Sequence, residues 1–203
     1  MLIVKSKYKI AKRLGAAIFE KTQSQKFALS EARTKRPRGG RRGGSDYGRQ
    51  LLEKQRVRFT YGLSERQLSN YAKHAFTQAD PSAVLHRDLE MRADSVVYRA
   101  GFASTRRAAR QIVSHGHILI NGKRTTTPSY HIRKGDVVGI REGSRISPLF
   151  AGLSTTEEEN RRTVPQWLAV DLNLMRAEVV GEPAYQPLES GLDYPTVFEF
   201  YSR

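Results

Sequence analysis

Between residues 92 and 123, cations recur at spacings that suit a phosphate-bearing partner. The run S-T-R-R-A-A-R-Q-I-V-S-H-G-H carries the densest set. At about 100° per residue, Ala108, Ala109, Ile112 and Val113 share one face, and Arg106, Arg107, Arg110 and Ser114 fall opposite. Arginine offers a planar, permanently charged fork that matches phosphate oxygens. His115, His117 and Lys123 extend the same chemistry towards the C-terminal side, while Arg92 and Arg99 precede it. Ser104 supplies a hydroxyl for capping the helix, and Gly116 can take the left-handed conformation that ends it.

Elements must hold these groups in place. His117-Ile118-Leu119-Ile120 runs into Asn121-Gly122, a strong signal for a two-residue hairpin turn. Gly135-Asp136 precedes the β-branched pair Val137-Val138 and then Ile140. Two short helices followed by a curled antiparallel sheet are therefore expected. Thr125 and Thr127 are expected at its edge, partly solvated, because a buried hydroxyl needs a partner.

Other chemistry finds no residues. With Cys 0 there is no disulfide, thiol nucleophile or cysteine-based zinc site. His115 and His117 lack a third ligand at recognisable spacing, so no metal is expected. The glycines near 39–44 lack the Gly-Lys-Ser/Thr ending of a phosphate-binding loop. No serine–histidine or paired-carboxylate arrangement stands out, and neither an enzyme nor a bound cofactor is expected.

Charge names the partner class. Lys+Arg 35 against Asp+Glu 20 leaves +15 on 203 residues. Such an excess points to nucleic acid. No long apolar stretch points to a membrane. The basic residues continue into the N-terminal part, with Lys12 and Arg13 on a first helix over residues 8 to 20. That helix is open to two readings, a transit peptide or the start of the mature chain. From Thr22 to Gly44 periodicity disappears. Seven basic residues from Arg33 to Arg49, among them Arg36, Arg38, Arg41 and Arg42, face only Asp46. Arg56 lies on a second helix opening at Ser45. A third begins at Ser64 with Gln67 three residues on, the capping-box pattern, and a fourth runs from Pro81 to about Met91. The tail, V-F-E-F-Y-S-R, reads as a short terminal strand.

The quoted motifs carry a resemblance. L-E-x-R-x-D-x-V-V-Y-R-x-G-F-A, A-R-Q-x-V-x-H-G-H-I, I-N-G and P-S-Y…G-D resemble the alpha-L RNA-binding motif. S-D-Y-G, L-x-E-K-Q-x-V-R and Y-G-x-S-E-R-Q are similar to the helical domain of the family of small ribosomal subunit protein four. Two departures stand out: the cysteine zinc knuckle of many members is missing, and a Gly/Arg run replaces their Pro-Gly-Gln-His-Gly-like turn.

The resemblance implies an α+β fold, a mostly helical domain with an inserted alpha-L domain. The expected divisions are 1–44 (basic helix and Gly/Arg segment), 45–88 (helical domain), 89–164 (alpha-L domain) and 165–203 (return to the helical domain). It implies a structural, non-enzymatic constituent of the small ribosomal subunit that binds ribosomal RNA early in assembly. Neighbouring small-subunit ribosomal protein five and messenger RNA at the entry channel are the further implied partners, with Arg41, Arg42 and Arg49 the channel candidates. Candidate RNA contacts are Arg92, Arg99, Ser104, Arg106, Arg107, Arg110, His115, His117, Lys123, Lys12, Arg13, Arg36, Arg38 and Arg56. A cytoplasmic ribosome is expected, an organellar one being the other possibility. The competing reading is an RNA-modifying enzyme accessory or stress-related RNA binder carrying an alpha-L domain.

Overall fold

Side-chain caps fix where several helices begin in the computed structural model, which describes residues 4, 6–15, 18–33, 45–151 and 163–202. The chain is α+β and divides into two units, residues 1–85 with 185–203, and residues 86–184.

In the first unit, α1 (Lys7–Leu14), a 3-10 turn (Glu20–Thr22) and α2 (Gln25–Ala32) precede α3 (Asp46–Thr60) and α4 (Glu65–Phe76). Ser45 Oγ caps α3 by accepting from Gly48 N. Ser64 and Gln67 close the expected capping box on α4. α5 (Pro81–Glu90) follows, and the division between the units falls within it. The chain returns with α10 (Pro187–Ser190) and α11 (Tyr194–Tyr201). α11 packs on α3 and α4, burying Tyr194, Val197 and Phe198, while Phe76 meets Phe198 edge-on at 5.3 Å. Lys54 Nζ donates to Glu65 Oε1 at 2.8 Å, and Tyr201 donates to the same oxygen at 3.0 Å. Burial works against the Glu65 carboxylate, but these bonds and the charges of Lys54 and Arg58 hold its pKa below the ordinary value.

The tail is thus a helix, not the expected strand. Its alternating aromatics read as β, but Asp193 accepts from both Thr196 N and Thr196 Oγ1, and Pro195 sits in the first turn. Those capping groups and the apolar surface of α3 outweigh strand propensity. Two further differences lie near the N-terminus. The first helix stops at Leu14, where Gly15 takes φ 113, and α2 occupies residues read as aperiodic. α2 is held by one buried side chain, Phe27, against Ala11 and Phe19, too sparse a signal for periodicity to show.

The second unit layers α6 (Ala93–Arg99) and α7 (Arg106–Ser114) on a five-stranded antiparallel sheet. Its strands are β1 (Ile118–Ile120), β2 (Lys123–Thr125), β3 (Val137–Ile140), β4 (Leu168–Asp171) and β5 (Arg176–Val179), in the order β2-β1-β3-β5-β4, and two short helices, α8 (Glu142–Arg145) and α9 (Pro148–Ala151), follow β3. Asn121 (φ 50) and Gly122 (φ 77) make the tight turn, pairing Ile120 with Lys123. Ile118, Ile120, Val138, Ile140, Ala177 and Val179 point to one face and pack with Val96, Val97, Ala109, Ile112 and Val113. By strand alternation Leu119, Val137 and Gly139 point to the other.

The segment expected to leave this unit at residue 165 stays in it until 184. β3 pairs with β5, Val138 opposite Ala177, so leaving β3 as an edge would strand its backbone groups. α7 is capped by Thr105, whose Oγ1 accepts from Ala108 N at 3.1 Å, rather than by Ser104. Two adjacent hydroxyls made the sequence ambiguous by one residue.

Candidate nucleic-acid interface

The arginines of α6 and α7 divide into two populations, and buried carboxylates decide which is which. Glu90 at the end of α5 is 1% exposed. Its Oε2 accepts from Arg99 Nε at 2.7 Å, and its Oε1 accepts from Arg99 Nη2 at 2.9 Å and Arg106 Nη2 at 3.0 Å. Arg106 also donates to Ser95 Oγ and lies 4.6 Å from the centre of the Tyr98 ring. Asp94 accepts two bonds from Arg92, at 3.0 and 2.9 Å, and Arg110 Nε approaches it to 4.0 Å. A buried carboxylate is tolerable only when paired and hydrogen-bonded. These arginines therefore tie α5, α6 and α7 together. Burial pushes the pKa of His86, beside Glu90, below its ordinary value, the Glu90 charge opposing the shift.

This corrects the expected arginine face. Arg92 is 1% exposed and belongs to the core, not to an outer surface. Arg99, Arg106 and Arg110 are half-buried and committed to Glu90 or Asp94. Arg106 and Arg110 flank the apolar face rather than oppose it, the truly outward position being that of Arg107, and the helical wheel could not show the two carboxylates brought up by neighbouring helices.

What remains outward is a different set. Arg107, Gln111, Ser114 and His115 are exposed at i, i+4, i+7 and i+8. The His115 carbonyl accepts from Arg124 Nη2 at 3.2 Å. Gly116 takes φ +73, and a Cβ there would run into the Arg124 guanidinium. His117 Nδ1 lies 2.9 Å from Ser144 Oγ, and the Arg141 N–H donates to the His117 carbonyl at 2.8 Å. Burial, then the charges of His115, Arg141 and Arg124, lowers the His117 pKa. Lys123 is exposed on β2. Among the described residues no carboxylate ion-pairs with Arg107, Lys123, Arg124 or Arg141. Arg124 and Arg141 are not among the expected contacts, because helical spacing carries no signal for cations on a hairpin or at a strand end; the Asn121-Gly122 turn and the Val137–Ile140 run beside them are the signals that point to them. Ser104 is exposed beside the start of α7.

The first-unit candidates are less uniform. Lys12 donates to the Ser30 carbonyl at 2.9 Å, and Arg13 is exposed. Arg56 is largely a fold residue, donating to the Leu14 carbonyl and to Glu53. Arg49 is exposed, with Glu199 at 3.9 Å. Arg36, Arg38, Arg41 and Arg42 lie outside the described residues, as does the Gly/Arg run.

The His115 and His117 rings are 6.0 Å apart, and no group of three or more metal-ligating side chains occurs among the described residues. No helix of the described residues is long and apolar enough to cross a membrane. The arrangement offers cations around a helix end and a hairpin, suited to a folded polyanion rather than to bond-making chemistry.

Known proteins supply the lineage. The S4 domain family matches residues 91–138, and the ribosomal protein S4/S9 N-terminal domain family matches residues 3–89. The chain is 40% identical over 202 residues to the small ribosomal subunit protein uS4 of Herpetosiphon aurantiacus, covering 96% of each chain. It is 40% identical over 200 residues to that of a Roseiflexus species, again covering 96% of each. The uS4 protein of Borrelia recurrentis is 36% identical over 203 residues, covering 98% of this chain and 96% of its own. On this end-to-end similarity, the chain belongs to the small ribosomal subunit protein uS4 family.

Proposed function

We propose that this protein is a structural constituent of the small ribosomal subunit that binds its ribosomal RNA and helps fold an RNA junction during assembly. The observation that carries this reading is the outward cation set, Arg107, Lys123, Arg124 and Arg141, with no ion-pairing carboxylate among the described residues, beside a second set that is ion-paired with Glu90 and Asp94. Membership of the uS4 family supports small-subunit ribosomal RNA as that polyanion. Contacts are to phosphate and shape rather than base sequence. In a filter-binding series, log affinity for small-subunit RNA should fall with log salt by roughly 0.7–0.9 per phosphate neutralised. A flat slope would remove the electrostatic basis of the reading.

Contact with small-subunit ribosomal protein five and a place along the mRNA entry channel belong to the same proposal. Their support is the family, together with the exposed Arg49. Arg49→Ala should leave subunits assembled yet slow translation through a stable message hairpin more than through an unstructured message. Equal slowing on both would move Arg49 to the ribosomal RNA side.

A further inference from the structure

The face of the sheet turned away from α6 and α7 carries a shallow cavity of about 470 Å³, floored by Leu119, Val137 and Gly139. Its volume lies in the range of ligand sites, roughly 300–1,000 Å³. Arg141, Arg145 and Arg176 rim it. None of the three ion-pairs with a carboxylate among the described residues, although Glu142 also lines the rim. Arg145 Nε donates to the Ile140 carbonyl at 3.3 Å, which fixes that guanidinium beside the strand end. Gly139 gives the floor its flatness. A Cβ built there would come within 3.6 Å of Arg176 Cγ and 3.7 Å of the Met175 carbonyl. The Arg176 stem thus lies over a position with no side chain.

We propose that this cavity receives one unpaired nucleotide of the bound RNA, its base on Leu119 and against the Arg176 side chain that lies over Gly139, and its phosphate on Arg141 and Arg145. The inference rests on the RNA-binding reading and adds a recognition site to it. An apolar floor alone would suit an aliphatic side chain equally. The unpaired cations select an anionic occupant, and planar guanidiniums stack on bases as ammonium groups cannot. Glu142, an acceptor only, is suited to a ribose hydroxyl or an exocyclic amine and not to the phosphate.

The test compares full-length wild type with Gly139→Val and Arg176→Met, using protein-free small-subunit ribosomal RNA and an unrelated RNA of equal length. A β-branched residue suits a strand, and the distances at Gly139 are ordinary contacts, so melting curves should match wild type. If valine costs the fold, Gly139→Ala carries the same comparison with one methyl group. Gly139→Val should weaken binding about tenfold, the scale of losing a stacked base, with its salt slope unchanged. Arg176→Met should also weaken binding. The proposal is overturned if Gly139→Val binds as wild type does, which would leave the cavity to a peptide or to nothing. It is equally overturned if the slope falls by about one contact, the sign of a lost phosphate without a base. Failure of wild type to prefer the ribosomal RNA would instead overturn the RNA-binding reading itself.

Discussion

A single residue, Glu90, decides how the arginines of α7 are to be understood. By accepting from Arg99 and Arg106 inside the second unit, it converts two of the expected RNA contacts into a fold device. Arg106→Ala with Arg110→Ala should therefore destabilise the protein, because Glu90 and Asp94 would lose partners while remaining buried. Loss of a hydrogen bond to a charged group costs about 1.5–3 kcal/mol, and the partial exposure of both arginines favours the lower end. Arg107→Ala should do the reverse, leaving the melting temperature unchanged while reducing the salt slope of RNA binding by about one contact. Thermal melts followed by filter binding on both variants check this. If the double variant melts as wild type does, the carboxylate network is not stabilising.

At the scale of elements, short signals with a backbone mechanism were readable and propensity alone was not. Ser64 with Gln67, and Asn121 with Gly122, each prescribe a local geometry that the structure contains. Asn121 does more than turn the chain. Its Nδ2 donates to Asp136 Oδ1 at 2.8 Å, and its Oδ1 accepts from Val137 N at 2.9 Å, so the β1–β2 turn is fastened to β3. Asn121→Ala should lose both bonds and place a Cβ without compensation at φ 50, costing about 2 kcal/mol. Urea unfolding followed by Trp167, the single tryptophan and packed on this core, would report it. A midpoint equal to wild type would mean the turn holds without its side chain. Thr125 does end the edge strand half-exposed and Thr127 is exposed, so their hydroxyls have the solvent the sequence required. The terminal helix reads as a strand in sequence because its aromatics and valine favour strands, and the Asp193 cap with packing on α3 and α4 reverses that.

For the whole molecule, the α+β class and the family were legible in contiguous motifs, whereas the course of the chain between units was not. β4 and β5 lie more than 25 residues after β3 begins, and their short runs, L-A-V-D and R-A-E-V, show no turn residue strong enough to announce pairing with it. Which cations face outward was likewise hidden, since Arg106 and Arg107 are neighbours in sequence with opposite fates. The surplus of +15 belongs to the 203 residues taken together, and such a charge is sustained most readily against a polyanion. Quantifying this protein across a sucrose gradient of cell lysate, before and after a moderate-salt wash, tests the central claim most directly. A small-subunit constituent should co-sediment at about one copy per subunit, persist through the wash, and be missing from the light fractions. Recovery mainly in light fractions, or at a small fraction of one copy per subunit, would contradict a structural role and favour an RNA-modifying or stress-related RNA binder.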